Sequence, residues 1–401
     1  MRGGKKIFLA IVFTLALSLA FSATLVVAAG AVGDEFDIAK RNCEEWATKT
    51  GNKIVMFQSP NLTNDRLGLF QQIFAAKSDE IDIVQIDVIW PGLLGKYFVD
   101  LNKYIPKSHS NKHFKPIIDN NTNPDGELLA MPFFTDAGIL YYRKDLLDKY
   151  GKKPPTTWEE LEDIAKDILK KEKNDNLVGF VFQGKAYEGL TCDALEWIDS
   201  YGGGEIIDPN TGDVTVNNPK AIKAIKTAAG WVGTIAPKGV LNYAEEDARG
   251  IFQSGNAIFM RNWPYAWSLS QGDDSRVKDK VGVVALPKGG NSGKHTGTLG
   301  GWNMAVSKYS KNKKEAADLV RYLTTPEMQL KRAIEGSYNP TISEVYDDSR
   351  LADAAPFMAR LKSTFTNAVA RPSKLTGRSY NKVSNKFWNA VHSVLSGLKH
   401  K

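Results

Sequence analysis

The stretch Arg261-Asn262-Trp263-Pro264-Tyr265-Ala266-Trp267 sets three aromatics at i, i+2 and i+4, with an arginine and an asparagine beside them. A second stretch, Gly297-Thr298-Leu299-Gly300-Gly301-Trp302-Asn303, puts a tryptophan directly after glycines that let backbone approach a ligand closely. These residue types suit carbohydrate. A pyranose has apolar C–H faces and a rim of hydroxyls. An indole stacks on the face and removes apolar surface from water, worth about 25 cal/mol per Å². Planar polar side chains then bond the rim hydroxyls, often two at a time. Tryptophan is also well buried on average, so spacing alone leaves a core role open for both.

Other chemistries lack their signatures. No G-x-S-x-G, H-E-x-x-H, C-x-x-C or phosphate-binding loop occurs. His109, His113, His295, His392 and His400 show no metal-ligand spacing, so neither a metal nor another cofactor is expected. Carboxylates are plentiful, and an exported glycoside hydrolase using a carboxylate pair stays open as an alternative.

The chain has 401 residues, 42% of them hydrophobic and 24% charged, which is ordinary globular composition and excludes disordered and collagen-like classes. Its net charge is +7, yet 52 basic residues are interleaved with 45 acidic ones, so a solvated surface is expected rather than a nucleic-acid partner. Arg2, Lys5 and Lys6 precede an uncharged run from Ile7 to Ala29 that ends in small residues. This pattern predicts a secretory signal peptide over residues 1–31, with its A-x-A site at Ala29-Gly30-Ala31. An uncleaved anchor is the alternative, because the run is long enough to span a bilayer. The mature chain is then exported and soluble, with Cys43 and Cys192 expected free and buried.

Short β-like runs alternate with helical patterns, which predicts an α/β architecture. Strands are expected at Lys53–Gln58, Ile81–Ile86, Val178–Gln183, Lys280–Leu286 and Asn303–Ser307, and a long extended segment at Met131–Tyr142. Helical spacing marks Arg66–Ala76, Pro91–Val99, Lys313–Leu323 and Asn381–Leu398. Thr157 with Glu160 three residues on reads as a capping box opening Trp158–Lys171, and Asn218-Pro219 as an N-cap followed by proline at N1.

Four segments in order carry a family resemblance. They are Asp136-Ala137-Gly138-Ile139-Leu140-Tyr141-Tyr142-Arg143-Lys144-Asp145-Leu146, the Gln183-Gly184-Lys185 and Tyr187-Glu188-Gly189 stretch, Asn262-Trp263-Pro264-Tyr265-Ala266-Trp267, and Leu299-Gly300-Gly301-Trp302. From about Glu35 to the Arg371 region the chain resembles extracellular solute-binding proteins of ATP-binding-cassette sugar importers, and among them the trehalose/maltose-binding proteins. The resemblance implies a type II, two-lobed periplasmic-binding-protein fold, each lobe a mainly parallel sheet flanked by helices. It implies an α-glucoside disaccharide (trehalose, maltose or sucrose) bound in the cleft by hinge closure. Delivery to a membrane permease, a periplasmic location, a monomer and no enzymatic activity follow from it; a sugar-sensing role toward a chemoreceptor is a further alternative. It places residues 32–135 plus 301–340 in lobe one and 137–299 plus 341–401 in lobe two, with crossings near Asp136, Gly300 and Pro340. The binding residues it implies are Glu35, Asp87, Asp136, Gln183, Trp263, Tyr265, Gly301, Trp302 and Arg371. Two positions depart from the close relatives: Phe134 stands where they have tyrosine, and the polar loop after the first strand reads Pro60 to Asp65, with Arg66 only next to a family arginine.

Overall fold

The computed structural model describes residues 22–398. Its strands in chain order are β1 (Thr24–Ala28), β2 (Lys53–Phe57), β3 (Ile83–Asp87), β4 (Met131–Ala137), β5 (Ile139–Arg143), β6 (Val178–Val181), β7 (Ala257–Asn262), β8 (Val281–Ala285) and β9 (Leu299–Val306). They form two sheets, ordered β2-β1-β3-β9-β4 and β6-β7-β5-β8.

Both sheets are mixed, which corrects the expectation of mainly parallel ones. β1 pairs parallel with β2 and β3, and β6 with β7. β9 runs antiparallel to β3 and β4, and β5 antiparallel to β7 and β8. The cause is the chain's repeated crossing between sheets. β3 and β4 end at the junction, where Asp87 faces Trp302 and Ala137 faces Leu299. β9 enters from that junction and must run away from it. β5 does the same in the second sheet, its Ile139 facing the last residues of β7 and β8. Strand C-terminal ends therefore converge between the sheets, where open α/β sheets hold their ligands.

Three connections lie side by side at this junction. Asp136 pairs with Gly300, and Thr135 pairs with Gly301 and bridges to Asn339. Gly138, between β4 and β5, lets the first connection pass, because a side chain there would collide with the Glu196 carboxylate and Arg261 guanidinium.

Helices cover both faces of each sheet. In the first, helix Thr63–Ala75 buries Leu67, Phe70, Ile73 and Phe74 against one face. Helices Glu35–Thr50 and Lys313–Leu323 bury Ile38, Cys43, Trp46, Leu319 and Val320 against the other. In the second, helix Trp158–Glu172 starts at the expected capping box: Thr157 Oγ1 accepts from Glu160 N at 3.1 Å, and Thr157 N donates to Glu160 Oε2 at 3.3 Å. Its Trp158 packs with Trp197 and Trp231, and the C-terminal helix Tyr380–Leu395 adds Trp388, Val391 and Leu395 to the same core. Asn218 caps helix Pro219–Trp231 by accepting from Lys220 N and Ala221 N, each at 3.0 Å. Cys43 and Cys192 are free and buried. Among the described residues no helix is long and apolar enough to cross a membrane.

The leader boundary needs correction. Residues 1–21 lie outside the described residues, but Thr24–Ala28, expected inside the leader, is β1. It sits between β2 and β3, with Leu25, Val27 and Ala28 fully buried. Cleavage after Ala31 would remove a central strand and expose the edges of two neighbours.

Candidate functional site

At the junction a cavity, partly open to solvent, lies between the sheets. Eight of the nine residues implied by the resemblance line it: Glu35, Asp87, Asp136, Trp263, Tyr265, Gly301, Trp302 and Arg371. Four of them sit at or beside element ends. Glu35 opens helix Glu35–Thr50, Asp87 ends β3, Asp136 lies near the end of β4, and Trp263 directly follows β7. Gly301 and Trp302 are on β9. Gly301 adopts φ +118°, and a Cβ there would lie 2.6 Å from the Phe134 carbonyl oxygen, so this position requires glycine.

Gln183 is not brought to the cavity. Its side chain is fully buried and engaged: Nε2 donates to the Arg261 carbonyl at 3.2 Å, and Oε1 accepts from Arg261 Nη1 at 2.9 Å. Arg261 in turn is paired with Asp193 and Glu196. It lies 4.0 Å from the Trp263 ring centroid. Gln183 thus belongs to the polar support beneath Trp263, a contact its strand-end position in sequence could not distinguish from a lining one.

Each lining tryptophan has an arginine against it. Arg261 covers Trp263, and the Arg66 guanidinium stands 4.5 Å from the centroid of Trp302. Trp90 meets Trp302 edge-on, at 5.6 Å and 88°. Guanidinium on an indole face is a favourable cation–π arrangement, and here it fixes the ring planes. Trp263 is further held by Nε1 donating to Glu245 Oε1 at 3.4 Å. The Tyr265 hydroxyl donates to Glu246 Oε1 at 2.7 Å, while its ring packs into the first sheet's core.

The polar rim is acidic. Five carboxylates line the cavity (Glu35, Asp87, Asp136, Glu188, Glu245) against one lining cation, Arg371. Burial raises the Glu35 carboxyl above its ordinary range, opposed by Arg66 and by the hydrogen bond from Gln85. Burial raises Asp136 further, helped by the nearby charge of Glu35. Asp136 Oδ1 and both Nη atoms of Arg66 have no hydrogen-bond partner among the described residues. Such buried, unpaired groups cost free energy in the ligand-free chain. Of the two, only Asp136 lines the cavity, so its free oxygen is the one placed to bond a polar ligand.

Arg371 has a second engagement. Its Nη2 donates to Asp87 Oδ1 at 3.0 Å and to the Leu299 carbonyl at 3.3 Å; its Nη1 donates to Glu188 Oε1 at 3.0 Å. Glu188 also accepts from the Tyr380 hydroxyl and from Ser384 Oγ, the latter at 2.8 Å.

Sequence reasoning assigned no role to several lining residues, Thr63, Glu188, Glu245 and Tyr338 among them, or to Arg66 behind Trp302. Glu188 sits in the quoted Tyr187-Glu188-Gly189 stretch, so that signal was present. Arg66 and Glu245 fall in first helical turns, where charged residues are ordinarily solvated.

The comparisons agree with this architecture. The family model for bacterial extracellular solute-binding proteins matches residues 30–330. A probable ABC transporter-binding protein of Deinococcus radiodurans is 52% identical over 384 residues, covering 95% of this chain and 91% of that one. The maltodextrin-binding protein MdxE of Bacillus subtilis is 27% identical over 236 residues, 56% of this chain and 52% of its own. Among solved structures, maltose-bound MalE3 of T. maritima superposes with a TM-score of 0.89 at 38% identity, covering 94% of this chain and 96% of that one. With its two lobes, its repeated crossings and its cleft between the sheets, this chain belongs to the bacterial extracellular solute-binding proteins.

Proposed function

We propose that this protein is the extracytoplasmic receptor of an ABC sugar importer, binding an α-glucoside disaccharide (trehalose, maltose or sucrose) and presenting it to the membrane permease. The observation that carries this is the lining itself: two arginine-backed tryptophans and five carboxylates around one cavity between the sheets. Indoles take the apolar sugar faces and carboxylates take the hydroxyls. The excess of lining carboxylates repels anionic solutes such as sugar phosphates. The similarity to maltose-bound MalE3 supports a maltose-type ligand.

Binding uses both sheets. Asp87, Asp136 and Trp302 come from the first, while Trp263 and Glu245 flank β7 of the second. A ligand touching both sets selects the closed arrangement. The three adjacent connections near Asp136, Gly300 and Pro340 supply the hinge. Lobe one comprises β1 through residue 135 plus 301–340, and lobe two 137–299 plus 341–401. Export uses the leader upstream of β1; Ala20 and Ser22 put small residues at the positions a signal peptidase needs for cleavage between Ser22 and Ala23.

Calorimetric titration of residues 23–401 with trehalose, maltose, sucrose, glucose and a linear polyol tests this reading. One-to-one binding of a disaccharide is expected. Silence across the panel overturns it. Steady release of glucose from trehalose or maltose would favour the hydrolase alternative instead. Capture of a chemoreceptor but not of a permease would favour the sensing one.

A further inference from the structure

Arg371 is shared by two spaces. It lines the cavity and also a groove bordered by Val88, Ile89, Pro116, Asn120, Ala370 and Ser373. Three segments contribute neighbouring residues to the two spaces. Asp87 faces the cavity and its neighbours Val88 and Ile89 the groove. Gly300 faces the cavity and Leu299 the groove. Arg371 is common to both, flanked by Ala370 on the groove side.

Arg371 is braced. The guanidinium bonds Asp87 from lobe one and Glu188 from lobe two, and a third bond goes to the Leu299 carbonyl. Tyr380 and Ser384 on the C-terminal helix fix Glu188 in turn. Arg371, Asp87 and Glu188 are all nearly inaccessible to solvent. A planar guanidinium held in this way between two carboxylates has little freedom to swing aside.

We propose that the Asp87–Arg371–Glu188 triad is a length stop. It ends the cavity after two sugar rings and excludes longer α-glucans; the groove beyond it is the space a third ring would need. The inference rests on the sugar-binding reading above and adds which chain length the site accepts. Exclusion here is a built obstruction rather than a missing attraction.

The test is calorimetry of the full mature chain with maltose, trehalose and maltotriose, repeated for Arg371→Ala and Arg371→Lys. The native chain is expected to prefer its disaccharide over maltotriose by at least ~100-fold. Arg371→Ala joins cavity and groove, so the preference should fall below ~10-fold through gained maltotriose affinity. Arg371→Lys retains a charged plug and should keep most of the discrimination. Arg371→Gln, which shortens the plug without removing its polarity, replaces the alanine variant if that chain does not fold. Equal binding of maltotriose and disaccharide by the native chain overturns the length stop while leaving sugar binding intact. So does a folded alanine or glutamine variant that loses both ligands in proportion. Failure of the native chain to bind any of these sugars overturns the sugar reading and the length stop together.

Discussion

Removing the Trp302 indole separates a binding aromatic from a core one. Its ring is half-buried: Trp90 meets it edge-on, Arg66 stands on one face, and the side chain contributes to the cavity wall. A pyranose stacked on the open face would take roughly 80 Å² of combined apolar surface from water, worth about 2 kcal/mol at 25 cal/mol per Å². Trp302→Ala should therefore weaken disaccharide binding about 30-fold. Trp302→Phe, which keeps a smaller ring, should lose about 3- to 5-fold. The substitution also leaves a gap beside Trp90, costing about 2–3 kcal/mol of stability, less than a fully buried tryptophan would. A domain stable by about 5–15 kcal/mol stays folded after that loss. Calorimetry gives the affinity, and circular dichroism with a thermal melt confirms the fold. A folded Trp302→Ala chain that binds its sugar within about threefold of the native affinity would refute the stacking assignment and return Trp302 to the core.

Further outcomes follow from individual contacts. Asp136 is held protonated to higher pH in the folded chain than its ordinary 3.8, chiefly by burial. A raised carboxyl stabilises the fold below the ordinary value, and that contribution is lost as pH rises through the folded one. Asn imitates the protonated form, so Asp136→Asn should raise the ligand-free melting temperature at neutral pH and flatten its fall as pH rises above the ordinary carboxyl range; an unchanged pH profile would count against the mechanism. Gly301→Ala forces a Cβ to 2.6 Å from the Phe134 carbonyl at φ +118°, so it should cost about 1–3 kcal/mol in a denaturant melt. Thr157→Ala removes one half of the capping box far from the cavity. It should cost about 1 kcal/mol of stability and leave sugar affinity unchanged.

The parts of this fold legible in sequence are those decided locally. The Lys313–Leu323 helix and the Thr157–Glu160 and Asn218-Pro219 starts fall where periodicity and capping residues put them. The extended segment 131–142 is different: it reads as one strand, but it is two, in separate sheets, broken at Gly138. Alternation cannot show which sheet a strand joins. That depends on contacts with β9 and β7, more than a hundred residues away. The same limit explains the parallel expectation, since local β–α alternation describes β2 and β3 and is silent about strands that return across the junction.

β1 shows a second kind of ambiguity. Thr24–Ala28 continues the uncharged run that starts at Ile7, and a central strand buried on both faces has the same composition as a hydrophobic export segment. Small residues at Ala28–Ala31 then resemble a cleavage site. Their role in the fold is to bring the chain off β1 close to Gln85, whose side chain accepts from Gly30 N at 2.9 Å and donates to Glu35. A side chain at position 30 would collide with the Glu35 carboxylate. The glycine that imitates a processing signal is thus what allows the first cavity carboxylate to sit where it does. One short stretch thus carries both a leader-like composition and the entry to the cavity, and the tertiary contacts of Gln85 and Glu35 tell the two readings apart.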